Sequence, residues 1–190
     1  MTSGLITAQD LVLGTAKTDG QVGIPLAPGI SLSGTWTPSD SSNILIVTRS
    51  EAEATEYYKV PIPLPHRTTA LKGVKLKSIT VSYTIATADT ETDDLEFQIL
   101  KQTVPANGVA ATGAIMAGDA DTDYDAAHDT NAERLTEGIH TTTVTIPTDE
   151  QAYVADGEQH WMRVKVVDAS TGNLALAITG AVANYDVLMF

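Results

Sequence analysis

The 190-residue chain contains no cysteine. That excludes thiol catalysis, zinc–thiolate centres and a disulfide framework. No apolar run approaches the roughly 18 residues of a membrane-spanning helix, so no membrane partner is expected. Residues 1–15 carry neither an early positive charge nor a long apolar stretch, and no secretory leader is expected. The chain has no phosphate-cradling Walker loop, no GxSxG, no HExxH and no dinucleotide fingerprint. The expectation is a protein that is not an enzyme and carries no cofactor.

Positive charge is scarce too. There are 11 Lys and Arg against 24 Asp and Glu, a net charge of −13. Such a field disfavours nucleic acid and anionic membranes. The charge is also unevenly placed. Residues 51–88 hold Lys59, Arg67, Lys72, Lys75 and Lys77 against three glutamates, whereas residues 89–138 hold twelve acids against Lys101 and Arg134. The plain reading is solvated loops. The sharper one is complementary faces that meet between copies of the chain.

What is abundant is a two-residue alternation of apolar and polar side chains. Ile79, Val81, Tyr83 and Ile85 alternate with Thr80, Ser82 and Thr84. The phase slips after Leu76, which predicts a bulge near Lys77–Ser78. Leu95, Phe97 and Ile99 mark another strand, Val144 and Ile146 another. Met162, Val164 and Val166 point one way while Trp161, Arg163 and Lys165 point the other. Leu174, Leu176 and Ile178 follow, and Tyr185, Val187 and Met189 end the pattern. Polar turns separate the runs. The fold class is therefore all-β: an antiparallel sandwich of two four-stranded sheets, jelly-roll-like. Val81, Tyr83, Phe97, Ile99, Val164, Val166 and Ile178 should fill its core.

Two segments depart from the alternation. Residues 1–43, with "GIPLAPGISLSGTWTPSDSS", predict an extended N-terminal arm or short edge strands ahead of a sandwich domain over 44–190. "VPIPLP" (60–65) reads as an edge strand, because proline lacks the ladder donor.

"GDADTDYDAAHDTNAERL" (118–135) resembles a calcium loop in its alternating aspartates. An EF-hand requires Gly at its sixth position and Glu at its twelfth. Counted from Asp119 these are Tyr124 and Thr130, and counted from Asp121 they are Ala126 and Ala132. Both frames fail, so no metal is expected. Thr122 with Asp125, or Thr130 with Glu133, has capping-box spacing, which predicts one short helix in a long loop from Val104 to Gly138. His140 and His160 lie on different predicted strands, where a metal pair and ordinary surface histidines are both open.

From Leu71 the chain reads "LKGVKLKSITVSYTIATADTETDDLEFQIL", then a long loop, then "GIHTTTVTIPTD" and "HWMRVKVVDASTGNLALAITGAVANYDV". This resembles the β-sandwich decoration or cement proteins of tailed-phage heads over roughly two thirds of the chain. The resemblance implies a virion structural protein made in the host cytoplasm. It would sit on the capsid surface as a homotrimer at local three-fold positions and bind the major capsid protein. It transfers no catalytic residue. The charge layout then nominates Arg67, Lys72, Lys75 and Lys77, with Asp119, Asp121, Asp123 and Asp125, as subunit or capsid contacts. The alternative is a carbohydrate- or receptor-binding module, with Trp36, Trp161, Tyr57, Tyr58 and Tyr153 as a sugar platform.

Overall fold

The alternation becomes strands almost everywhere. The structure, a computed structural model, describes residues 17–27, 29–50, 55–65, 71–87, 92–105, 109–168 and 174–189. Its strands are β1 (Lys17–Gly23), β2 (Ile30–Ser33), β3 (Trp36–Ser41), β4 (Ile44–Arg49), β5 (Thr55–Pro61), β6 (Leu71–Ile85), β7 (Thr92–Thr103), β8 (Thr112–Ala117), β9 (Gly138–Thr145), β10 (Glu158–Asp168) and β11 (Leu176–Met189). A 3₁₀ turn (Asp121–Asp123) and α1 (Asn131–Arg134) lie between β8 and β9.

Two antiparallel sheets face each other. One is six-stranded, in the order β3-β4-β11-β6-β9 with β1 also on β11; the other is five-stranded, β2-β5-β10-β7-β8. Without β1, β2 and β3 the remainder is β4-β11-β6-β9 against β5-β10-β7-β8, the jelly-roll order. The expected pair of four-stranded sheets is thus the nucleus. The described part of residues 1–43 supplies three further strands.

Local details follow from side-chain chemistry. The β6–β11 register jumps from Ser78↔Asn184 to Leu76↔Tyr185, so Lys77 is the bulged residue the phase slip predicted. Pro61 corrects the edge-strand expectation, because β5 is an interior strand between β2 and β10. Among the described residues its pairing with β2 runs from Ile30↔Lys59 to Ser33↔Tyr57, short of Pro61. The stretch from Val104 to Gly138 is not all loop, since "TGAIMA" forms β8 on the edge of the five-stranded sheet. That strand was missed because Thr112, Gly113 and Ala114 are small and Ile115 and Met116 stand side by side, so there is no apolar–polar alternation to read. The predicted helix is α1, with a complete capping box between Thr130 and Glu133.

All seven residues expected in the core are inaccessible to solvent. Burial on this scale contributes about 1.5–3 kcal/mol for each large aliphatic side chain. Two aromatic contacts cross between sheets: Tyr83 on β6 with Phe97 on β7 at 4.8 Å, and Trp36 on β3 with Tyr58 on β5 at 5.3 Å.

One charged cluster sits inside this apolar layer. Arg49, at the end of β4, donates from Nε to Glu56 on β5 at 2.5 Å and from Nη2 to Asp168 on β10 at 3.2 Å. It also donates from Nη1 to the Leu174 carbonyl at 3.3 Å, just before β11. The side chains of Arg49, Glu56 and Asp168 have 0% exposure. Arg49→Met would strand two buried carboxylates without their cation and should cost on the order of 3–5 kcal/mol. Replacing all three with Met, Leu and Leu should restore most of that loss. Urea unfolding of both variants checks it; a loss below about 1 kcal/mol for Arg49→Met would contradict the role assigned to the cluster.

Candidate binding face

The outer face of the five-stranded sheet is built by three neighbouring strands. On β10, Met162, Val164 and Val166 are buried inward, which turns Trp161, Arg163 and Lys165 outward. On β5, Glu56, Tyr58 and Val60 are buried and Tyr57 and Lys59 alternate with them. On β7, Leu95, Phe97 and Ile99 point inward, leaving Asp94, Glu96, Gln98 and Leu100 outward.

Register places these outward residues in rows. Pro61, Trp161, Leu100 and Ile115 form one row, and Lys59, Arg163 and Gln98 the next. Tyr57, Lys165 and Glu96 form the third. Contacts knit the rows together. The Lys59 ammonium lies 4.5 Å from the centre of the Trp161 ring, and the Arg163 guanidinium 5.0 Å from that of Tyr57. Arg163 Nε donates to Gln98 Oε1 at 2.6 Å. The Gln98 amide donates to Glu96. Lys165 Nζ donates to Glu96 at 2.6 Å and to Asp94 at 3.3 Å. Each cation is thereby held over a ring or against an oxygen, which removes rotamer freedom before any ligand arrives.

Two cavities flank this array. One, of about 660 Å³, is a largely apolar cleft along Pro61, Ile62, Leu64, Val104, Val154 and Trp161. The other, of about 360 Å³, is lined by Lys59, Leu100, Lys101, Gln102, residues 111–115 and Arg163. Trp161 lines the first and Lys59, above its ring, lines the second, so the two openings meet at this pair.

Of the contact residues nominated from charge, the lysines lie on β6 and the aspartates in the β8–β9 connection. Arg67 lies outside the described residues, and Lys72 falls at the start of β6. Lys75 is opposite Asp186 in the β6–β11 register. Lys77 pairs with Asp186 at 3.2 Å and Asp19 at 3.6 Å in its own chain. Asp119 is exposed. Asp121 pairs with Arg134 at 3.1 Å. Asp123 is buried and accepts from the Gly118 amide at 2.8 Å, closing the turn where Gly118 has φ of 93°. Asp125 accepts from the Thr143 amide at 2.6 Å, from Thr142 at 3.1 Å and from His128 Nδ1 at 2.9 Å. Burial raises the Asp125 carboxyl, and these hydrogen bonds with His128 and Thr143 outweigh it, leaving the group below its ordinary value. Asp121, Asp123 and Asp125 thus make contacts within the chain, and Asp125 ties the β8–β9 connection to β9.

His140 meets His128 rather than His160, with Nδ1 3.3 Å from His128 Nε2, while His160 lies in the other sheet opposite Lys101. Their chain runs from Asp125 through both rings to the Thr136 carbonyl, 2.7 Å from His140 Nε2. Neither His128 nor His140 lines the two cavities described above. Among the described residues, no group of three or more His, Asp and Glu is arranged to hold a metal ion.

The fold is that of antiparallel jelly-roll sandwiches. No family model and no curated protein matches the chain. Among solved structures it is similar to a family 29 carbohydrate-binding module from Piromyces equi, at 10% identity over 89% of this chain and 91% of that one, with a TM-score of 0.36. It is also similar to a low-affinity xylan-binding module, CBM86, from Roseburia intestinalis, at 9% identity over 91% and 96% of the two chains and a TM-score of 0.36. A Bacillus thuringiensis Cry1Da tryptic core variant matches 85% of this chain with 23% of its own, at 9% identity and a TM-score of 0.34. Likeness of this degree transfers no residue role.

Within the array, Glu96 has a distinctive titration. Burial, then the hydrogen bond with Asp94, outweigh Lys165 and push its carboxyl from 4.5 up to about 7. A carboxyl raised on folding holds its proton more tightly in the native state. Its contribution is therefore complete below pH 4.5 and is lost as pH rises through about 7. His160, lowered by burial, acts in the opposite sense over an overlapping range, so the wild-type minus Glu96→Gln difference is the readout. That difference in unfolding free energy should decline from pH 4.5 to 7; a flat difference would contradict the assignment.

Proposed function

We propose that the protein is a non-catalytic binding module that takes a glycan on the outer face of its five-stranded sheet. The observation that carries this reading is the three-row array of Trp161, Lys59, Arg163, Gln98 and Tyr57, fixed by ring contacts and hydrogen bonds between two open cavities. Sugars combine apolar C–H faces with rims of hydroxyl donors and acceptors. Aromatic edges and the apolar cleft suit the first, and amide, guanidinium and ammonium groups suit the second. Pre-ordering by mutual contacts lowers the entropy lost on binding. Calorimetry against a panel of oligosaccharides should find micromolar to millimolar ligands. Trp161→Ala and Tyr57→Ala, checked for folding by circular dichroism, should weaken them at least tenfold, about 1.4 kcal/mol. A panel without ligands, or binding untouched by both variants, removes the reading.

The decoration-protein reading is favoured by a different surface. On the outside of the six-stranded sheet, Thr80 faces Thr143 at 3.1 Å, Ser82 faces Thr141 at 3.3 Å, and Gln21 donates to Asn184 at 2.8 Å. This Thr, Ser, Gln and Asn patch is itself uncharged in a chain of net charge −13, and the Lys77, Asp186 and Asp19 beside it pair with one another, so two copies could approach there with little repulsion. Self-association is thus the second proposal, as a homotrimer on a capsid. Sedimentation velocity over a concentration and salt series should reveal a trimer. A monomer at every condition would remove this reading and leave the glycan reading standing.

A further inference from the structure

We propose that the ligand of the outer face carries an anionic group, a uronic acid carboxylate, seated between Lys59 and Arg163. This rests on the glycan reading above and narrows its substrate class to glycans with spaced acidic sugars.

Lys59 and Arg163 are direct cross-strand partners on the same face. Like charges in that position oppose sheet pairing. The placement is the more pointed in a chain with 24 acids and 11 bases. Arg49, Lys77, Lys101, Arg134 and Lys165 each pair with a carboxylate. Among the described residues no carboxylate pairs with Lys59 or Arg163, although Glu96 and Asp94 stand one and two rows away, engaged with Lys165. Both cations instead rest on neutral groups: Lys59 over Trp161, Arg163 over Tyr57 and against Gln98.

The two side chains open onto one cavity of about 360 Å³, with Lys101 a third cation on its wall and, among the described residues, no acidic side chain lining it. Burial and then the Arg163 charge lower the Lys59 ammonium, the signature of cations brought together without a counter-charge. A carboxylate there would accept charge-assisted hydrogen bonds from both heads and relieve their repulsion. The net charge of −13 bears on the ligand as well. A polyanion charged at every unit is repelled by the whole molecule, whereas one carboxylate is screened from distant charge beyond about 8 Å at physiological salt.

The test uses neutral hexasaccharides of glucose, xylose, mannose and galactose, and length-matched counterparts bearing one glucuronic acid, with the intact protein in calorimetry at low and high salt. The uronate-bearing ligand should bind at least tenfold more tightly than its neutral counterpart. The advantage should shrink as salt rises and vanish in Lys59→Met and in Arg163→Met, each checked for folding by circular dichroism. Neutral ligands binding as well as acidic ones, or a preference that survives both substitutions, overturns the carboxylate subsite and leaves the glycan reading intact. Failure of every oligosaccharide removes the glycan reading and this inference with it. Tighter binding of single-stranded RNA or a fully sulfated polysaccharide than of the uronate ligand overturns the inference in favour of a general polyanion surface.

Discussion

A guanidinium buried between two sheets sets the terms for the rest of this molecule. Arg49 belongs to β4 of the six-stranded sheet, while Glu56 and Asp168 belong to β5 and β10 of the five-stranded one. Leaving one of these charges unpaired in such a layer would cost about 3–5 kcal/mol, as much as truncating a large core side chain. The ends of three strands and the start of β11 are therefore confined to one mutual arrangement. Glu56 is also what breaks the alternation of β5, since it points inward where an apolar residue would fit. Its neighbours Tyr57 and Lys59 are then held outward with a defined register against β10. The outer array thus inherits its geometry from a charge cluster on the opposite side of the same strand.

The two outer faces have different chemistry because their strands carry different residues at the outward phase. Along much of their length β6 and β9 present Thr and Ser, which pair across the ladder, and the Lys77 of β6 is matched by Asp186 of β11. β5, β7 and β10 present long charged and aromatic side chains, which can reach across rows. Long side chains in adjacent rows cover one another, and so Glu96 and Gln98 are buried although they point outward. That covering raises the Glu96 carboxyl and holds Arg163 in place. The groups of this face are held by one another, which removes rotamer freedom in advance.

The acidic segment between β8 and β9 plays a supporting part. Asp123 closes the turn at Gly118, and Asp125 links that turn to β9 and to His128. Arg134 of α1 lies 4.1 Å from the centre of the Tyr124 ring and donates to the Leu95 carbonyl at 2.8 Å. Tyr124 in turn accepts from the Phe97 amide at 2.8 Å. The segment is stitched onto the edge of β7, the strand that carries Glu96 and Gln98.

Much was legible in the sequence because a two-residue period is a local property. The strand phases of β6, β7 and β10, the core they bury, the bulge at Lys77 and the capping box of α1 all follow from neighbours along the chain. The outward direction of Trp161, Arg163 and Lys165 was legible for the same reason. Their partners were not. Which strand lies beside β10, and in what register, depends on closure of loops many residues long and on burial of both sheets at once. Only that closure brings Lys59 beside Arg163, sets Arg49 between Glu56 and Asp168, and joins His140 to His128 instead of His160. Periodicity along a chain determines which way a side chain points, and tertiary structure decides what it meets.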